Sequence, residues 1–336
     1  MKKVLALVLA AAMMLPMTFT AKAEAVEYPE RTIKVSTSGQ DTGIDALAAK
    51  HFAELVSEAS GGKVKVEVYP NSQLAGGDMS QLIQLLIAGG SYDMVVGSGS
   101  VLGNVDEKFL THTIPFLFSS YDEAATYLDG TGKEYYTKLM DEKNLVYMAA
   151  EYNGLRQLTT KDKVIKSPED LKGLRIRVPS GEVYMKTLSD MGADPVAMNW
   201  SEVFTALQQG TLDGHENGYQ TIFSANIQEV QKNITEWNWS FDGYWFFAGK
   251  KDWEKIDEAT QQLLLEKAEE ACQWGREKMV EDEKQIKQDF IDNYGVTITE
   301  LTEEEHQAFV DAAQPAREYF IEKFGEEACA AWGLTK

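Results

Sequence analysis

Apolar and polar positions alternate with a period of two over Val64–Tyr69, and Thr32–Ser38 and Tyr92–Val96 also read as strands, so three strands are predicted. Between them the period lengthens. Leu47, Ala48, Phe52, Leu55 and Val56 share one face of a helix over Ile44–Val56, and Met79–Ala88 repeats that spacing until Gly89-Gly90 stops it. Strand, helix, strand, helix, strand implies a mostly parallel sheet with crossover helices. The overall expectation is an α/β chain long enough for two lobes, each with its own core.

A second set of elements begins near Asn153. Ser167-Pro168-Glu169-Asp170 has the residues of a helix start: a serine cap, proline in the first turn and acids beside it. Leu174, Ile176 and Val178 alternate with Arg175 and Arg177, a strand that Pro179 ends because it has no N–H for the ladder. Ser201–Gln209 is a short helix. Ile234–Ser240 and Tyr244–Ala248 are expected to pair as strands joined by Asp242-Gly243. Glu258 to about Asn293 is one long charged helix that could run along both lobes, followed by a strand at Val296–Glu300 and two or three short helices. Leu86–Asp93 echoes Leu207–Asp213, each a helix end, a glycine able to take positive φ and a strand opening with aspartate. The echo is consistent with two similar α/β lobes, or with chance, since helix–Gly–strand is common. A cleft between two such lobes is a standard place for a small-molecule site.

The first residues change the picture of where this fold works. Lys2 and Lys3 precede an apolar run from Val4 to Leu15, and Ala21-Lys22-Ala23 is a small-x-small cleavage site. Residues 1–23 read as a secretory signal peptide of bacterial type, cleaved after Ala23. No later stretch reaches the ~18 apolar residues a spanning helix needs, so the mature chain is expected to be soluble and exported to the periplasm. The formal net charge of −21 deepens to −24 when Lys2, Lys3 and Lys22 leave. A field of that sign repels nucleic acid and anionic membrane surfaces, so neither is an expected partner. It also opposes an anionic ligand at long range, which would need strong local donors. An exported compartment permits a disulfide between Cys272 and Cys329, but two buried thiols fit equally well.

Enzymatic chemistry finds little support. None of His51, His112, His215 and His306 is spaced as a metal pair with another, so no metal is expected. Gly97-Ser98-Gly99-Ser100-Val101-Leu102-Gly103 follows a strand but is one residue too long for a dinucleotide loop, and no cofactor is expected. A nucleophile elbow is absent, so an exported hydrolase has no visible nucleophile and base. Ser98 fits better as a polar ligand contact at a strand's carboxyl end. Arg177 stands at the carboxyl end of its own strand, where ligands bind in open α/β sheets. It reads either as a surface ion-pair arginine or as a fork for a carboxylate. Trp200 reads as core packing or as a ligand platform, and Asn217 as a turn residue or as an amide donor.

Taken in order, these segments resemble the solute receptors of tripartite ATP-independent periplasmic (TRAP) transporters, of the DctP type. The likeness rests on Asn153-Gly154-Leu155-Arg156-Gln157, on Ser167 through Pro179, on Ser201–Gln209 and on Asp213-Gly214-His215-Glu216-Asn217. Upstream, Tyr69–Leu74 and Ile114–Phe118 are also similar, so the resemblance runs from about Thr32 to the C-terminus. It implies a two-lobed periplasmic binding-protein fold with a hinge and a long helix crossing both lobes. The lobes would be discontinuous: 24–152 with about 243–280, and 153–242 with about 281–336. It places the selectivity arginine on Arg177, a second arginine on Arg156, an amide on Asn217 and an aromatic on Trp200. Ser98 falls on a first-lobe position that touches ligand. Ser38, Gln73 and Asp242 are added as candidates for a hydroxyl-rich ligand. The implied function is delivery of an organic acid, a sugar acid or other hydroxy-carboxylate, to TRAP membrane subunits by a monomeric receptor. An aromatic or aliphatic carboxylate is the alternative. The chain departs from the family where Ser36–Gly43 lacks the usual proline and histidine and where His215 stands in place of a glutamine.

Overall fold

A computed structural model describes residues 26–334, so the expected leader and its cleavage site lie outside the described residues. Among these residues eleven strands form two sheets. They are β1 (Arg31–Thr37), β2 (Val64–Tyr69), β3 (Met94–Ser98), β4 (Leu145–Leu155), β5 (Gln157–Thr160), β6 (Arg175–Val178), β7 (Asp194–Ala197), β8 (Gly214–Asn217), β9 (Asn233–Glu236), β10 (Phe241–Gly249) and β11 (Thr297–Glu300).

The first sheet has the order β2-β1-β3-β10-β4 and the second β11-β9-β5-β8-β6-β7. β1, β2 and β3 run parallel, as helical crossovers require, and β6 is parallel to both β7 and β8. β10 is antiparallel to β3 and β4, and β5 to β8 and β9. The chain passes from the first sheet to the second between Leu155 and Gln157, and returns between Glu236 and Phe241. The helix Ile44–Ala59 lays Ala48, Phe52 and Val56 on the first sheet, the face its spacing predicts. A second core gathers Ile176, Val178, Leu188, Trp237 and Phe309 under the other sheet. The long helix is real, from Glu258 to Tyr294, and packs against both β4 and the Tyr219–Ser224 helix.

Several expectations need correction. The segments Ile234–Ser240 and Tyr244–Ala248 do not form a hairpin. β9 pairs with β5 and β11 in the second sheet, while β10 pairs with β3 and β4 in the first. The residues between them, Trp237-Asn238-Trp239-Ser240, are the crossing itself, turned by Asn238 at φ 46°. Ser167-Pro168-Glu169-Asp170 opens one 3-10 turn, Pro168–Leu171, and no helix comes after it. Its capping box is complete, but Gly173 at φ 75° turns the chain straight into β6. The strand β4 and the helices Tyr121–Leu128 and Thr131–Glu142 lie outside the elements that the sequence pattern predicts. The chain closes with a 22-residue helix, Glu303–Phe324, longer than expected, and then Glu326–Ala331. Cys272 and Cys329 are both buried free thiols.

Candidate functional site

The carboxyl ends of β3, β6 and β8 meet at one cavity. Its lining includes Ser38, Ser98, Arg156, Arg177, Trp200 and Asn217, six of the eight residues expected from sequence. Met79, Ser100, Asn153, Thr221 and Tyr244 complete the polar and apolar walls. Ser98 and Asn217 are the last residues of β3 and β8, each leading at once into a new helical turn. The sequence echo ahead of these two strands therefore leads to equivalent positions in the two sheets.

Arg177 is held by its strand and by the turn beyond it. β6 sits between β7 and β8, and Pro179 lets the chain leave the sheet beside the cavity. The guanidinium is 2% exposed. Its Nε and Nη2 donate to the Met198 carbonyl at 3.0 and 2.6 Å. That occupies one edge of the fork and leaves Nη1, with the second Nη2 proton, for another acceptor. Trp200 lies under the group, its ring centroid 5.4 Å from Cζ. His215 packs behind Trp200 at 5.9 Å, and its Nδ1 is 2.7 Å from the Thr159 hydroxyl. Burial pushes Arg177 down to about 9, with nearby Arg156 working the same way and Glu216 opposing both. At neutral pH it is charged but short of an anion, and a carboxylate in the cavity would supply one. Burial, then Arg177 and Arg156, hold His215 well below the usual histidine range.

Arg156 is different. Its Nε and Nη2 donate to the Glu216 carboxylate, Nη2 also to the Glu216 carbonyl at 2.9 Å, and Nη1 to Asp242 at 3.1 Å. Burial works against its charge, but Glu216 and Asp242 outweigh that and raise its pKa. Only one Nη1 proton remains for a ligand. Arg156 thus lines the cavity from within an ion-paired cluster with Glu216 and Asp242 that buttresses the wall. Asp242 itself does not line the cavity. It accepts from Arg156, from Asn153 at 3.1 Å and from the Gly99 N–H at 3.2 Å, and it faces His112 Nε2 at 3.1 Å. Gln73 is exposed on a 3-10 turn and is absent from the lining. Asn217 turns its amide oxygen to the Gly218 N–H at 2.9 Å, which leaves the amide nitrogen for the cavity. Glu216 is visible in sequence only as the neighbour of Asn217. Ser100, Tyr244 and Thr221 carry no signal beyond the polar loop after β3 and the aromatic run in β10.

The family described as DctP, bacterial extracellular solute-binding protein, family 7, matches residues 35–323. The C4-dicarboxylate-binding periplasmic protein DctP of Shewanella loihica is 30% identical over 279 residues, covering 83% of this chain and 82% of that one. The 2,3-diketo-L-gulonate-binding periplasmic protein YiaO of Escherichia coli is 27% identical over 292 residues, 87% of each chain. The crystal structure of the sugar acid binding protein DctPAm from Advenella mimigardefordensis, in complex with galactonate, is similar with a TM-score of 0.86 at 28% identity, covering 91% of this chain and 97% of that one.

Proposed function

The chain belongs to family 7 of the bacterial extracellular solute-binding proteins, the DctP receptors of TRAP transporters, and from that membership we propose that Arg177 captures the carboxylate of an organic acid for delivery to the membrane subunits. One observation carries this reading: a buried guanidinium with one edge fixed on the Met198 carbonyl and the other turned to a cavity. Asn217 adds an amide donor beside it, and Ser38, Ser98, Ser100 and Tyr244 offer hydroxyls for the remainder of the ligand. That hydroxyl content favours a sugar acid or other hydroxy-carboxylate over an aromatic or aliphatic acid. Relatives named for a diketogulonate and a galactonate support the same choice, whereas the Shewanella loihica relative is named for C4-dicarboxylates.

The role is reception, not chemistry, and the receptor works outside the cytoplasm as a monomer. Two charge-assisted bonds from Arg177, at roughly 1.5–3 kcal/mol each, supply much of the affinity. The test is mass spectrometry of the small molecule that co-purifies with the protein, then calorimetric titration of that molecule into Arg177→Ala. A carboxylate should be found, and the substitution should cost at least ~3 kcal/mol of binding free energy. An affinity unchanged by Arg177→Ala would overturn the assignment.

A further inference from the structure

The wall that the first sheet gives to the cavity is backed by buried acids, where the opposite wall holds Arg177. Loop N–H groups at the carboxyl ends of parallel strands are natural anion donors. Here two of them are already taken from inside. The Gly39 N–H donates to Asp45 Oδ2 at 2.6 Å, and the Gly99 N–H, between the lining serines 98 and 100, donates to Asp242 Oδ1 at 3.2 Å. Asp45 is fully buried, and its Oδ1 has no partner among the described residues. Glu151, paired in register with the lining residue Tyr244, is fully buried with neither carboxylate oxygen partnered among the described residues. Burial drives both acids toward the neutral form, Asp45 to about 7 and Glu151 well above the usual range.

The structure assigns this cavity to hydroxylated monocarboxylates and closes it to dicarboxylates. This rests on the organic-acid reading above and narrows it. Among the described residues Arg177 is the one lining cation whose charge no internal carboxylate matches, since Arg156 is already matched by Glu216 and Asp242. A second acid group on the ligand, laid against the first-sheet wall, would find no free cation there. It would find the Asp45 and Asp242 carboxylates behind the loop N–H groups, in a medium that screens like charges poorly. A neutral hydroxyl meets no such cost. Ser38, whose Oγ donates to Asp45 Oδ2 at 3.5 Å, can accept, and Tyr244 and the Ser98–Ser100 pair, whose Oγ atoms are 2.8 Å apart, can donate or accept as the ligand hydroxyl requires.

The experiment is calorimetric titration at pH 7.5 of the protein freed of co-purified ligand. The titrants are matched pairs that differ only in oxidation of the terminal CH2OH to a carboxylate: D-gluconate with D-glucarate, D-galactonate with galactarate, and D-erythronate with meso-tartrate, with succinate alongside. At least one monocarboxylate should bind about 100-fold or more tightly than its twin. Asp45→Asn should shrink that ratio by up to about 4-fold, since a carboxyl of pKa about 7 is neutralised at that cost at pH 7.5, and Asp242→Asn serves the same arm if the first variant does not fold. A dicarboxylate that binds as tightly as any monocarboxylate overturns this inference and leaves the organic-acid reading standing. A preference that persists undiminished in both folded variants overturns the assigned role of the buried acids. Binding by none of these acids, with a neutral sugar or an amine bound instead, overturns both readings.

Discussion

Arg177 and Arg156 are both buried at the same cavity, and their sequence settings look alike, yet only one has a free edge. The difference lies in partners. Arg177 meets a carbonyl, Met198, from a segment close in sequence. Arg156 meets Glu216 and Asp242, acids from strands far along the chain. The placement of Arg177 is legible because Pro179 marks the strand end locally. The neutralisation of Arg156 is not, because it depends on strand order, which no local pattern encodes. The same holds for Asp242, legible as a polar turn residue but placed by β10 beneath the loop it supports. Asp45 carries a prediction at this scale. Its folded pKa of about 7 lies above the usual 3.8, burial being the main cause, and Glu151 and Tyr244 face it from the first sheet. A raised carboxyl contributes stability that is fully present below pH 3.8 and is lost as pH rises through about 7. Between pH 4 and 7, Asp45→Asn should therefore flatten the decline of melting temperature that this group imposes on the wild type. Parallel slopes for the two proteins across that range would remove Asp45 from the account.

Among the elements, those with strong local periodicity are legible nearly to the residue: Met79–Ala88 and Val64–Tyr69 coincide with their expected bounds. The aromatic run after Asn233 misleads, because two strands and an intervening Asp-Gly imitate a hairpin. Tertiary partners decide otherwise. The Gln157 side chain donates to Asn238 Oδ1 at 2.5 Å and accepts from the Asn238 N–H at 3.3 Å, fastening the two inter-sheet crossings to each other. A second clasp joins the segments that follow Gly39 and Asn217. Gln220, after β8, accepts from the Ile44 N–H and donates to the Thr42 carbonyl, both at 3.2 Å. These bonds hold the segment that leads from Gly39 into the Ile44–Ala59 helix. Gln220→Ala should weaken ligand binding by about 1–2 kcal/mol, the worth of two neutral hydrogen bonds. The loss should appear in stopped-flow traces as faster ligand release. An unaltered release rate would show that the clasp does not contribute to retention.

For the molecule as a whole, charge and binding pull in opposite directions. The formal net charge of −21 surrounds a cavity whose free charge is positive. An anion approaching through that field is slowed at low ionic strength and relieved as the Debye length falls from about 30 Å at 0.01 M to about 8 Å at 0.15 M. Association rates measured over this range should rise with salt, by about twofold or more. A rate that falls would mean that the local field of Arg177 dominates even at long range.

The helix Glu258–Tyr294, at 1.5 Å per residue over 37 residues, is about 55 Å long. Gly275 seats its middle against Glu151 of β4, so closely that a Cβ there would overlap the carboxylate. Its far end is pinned by the Lys287–Glu236 ion pair at 2.6 Å and turns through Gly295 toward β11 at the edge of the second sheet. A rod clamped at its waist to one body and at its tip to another behaves as a leaf spring. Parting the two sheets would require flexing it, so substitutions that change its stiffness are expected to change ligand affinity. Residues on its solvent face, far from any ligand, thereby become a means of tuning affinity.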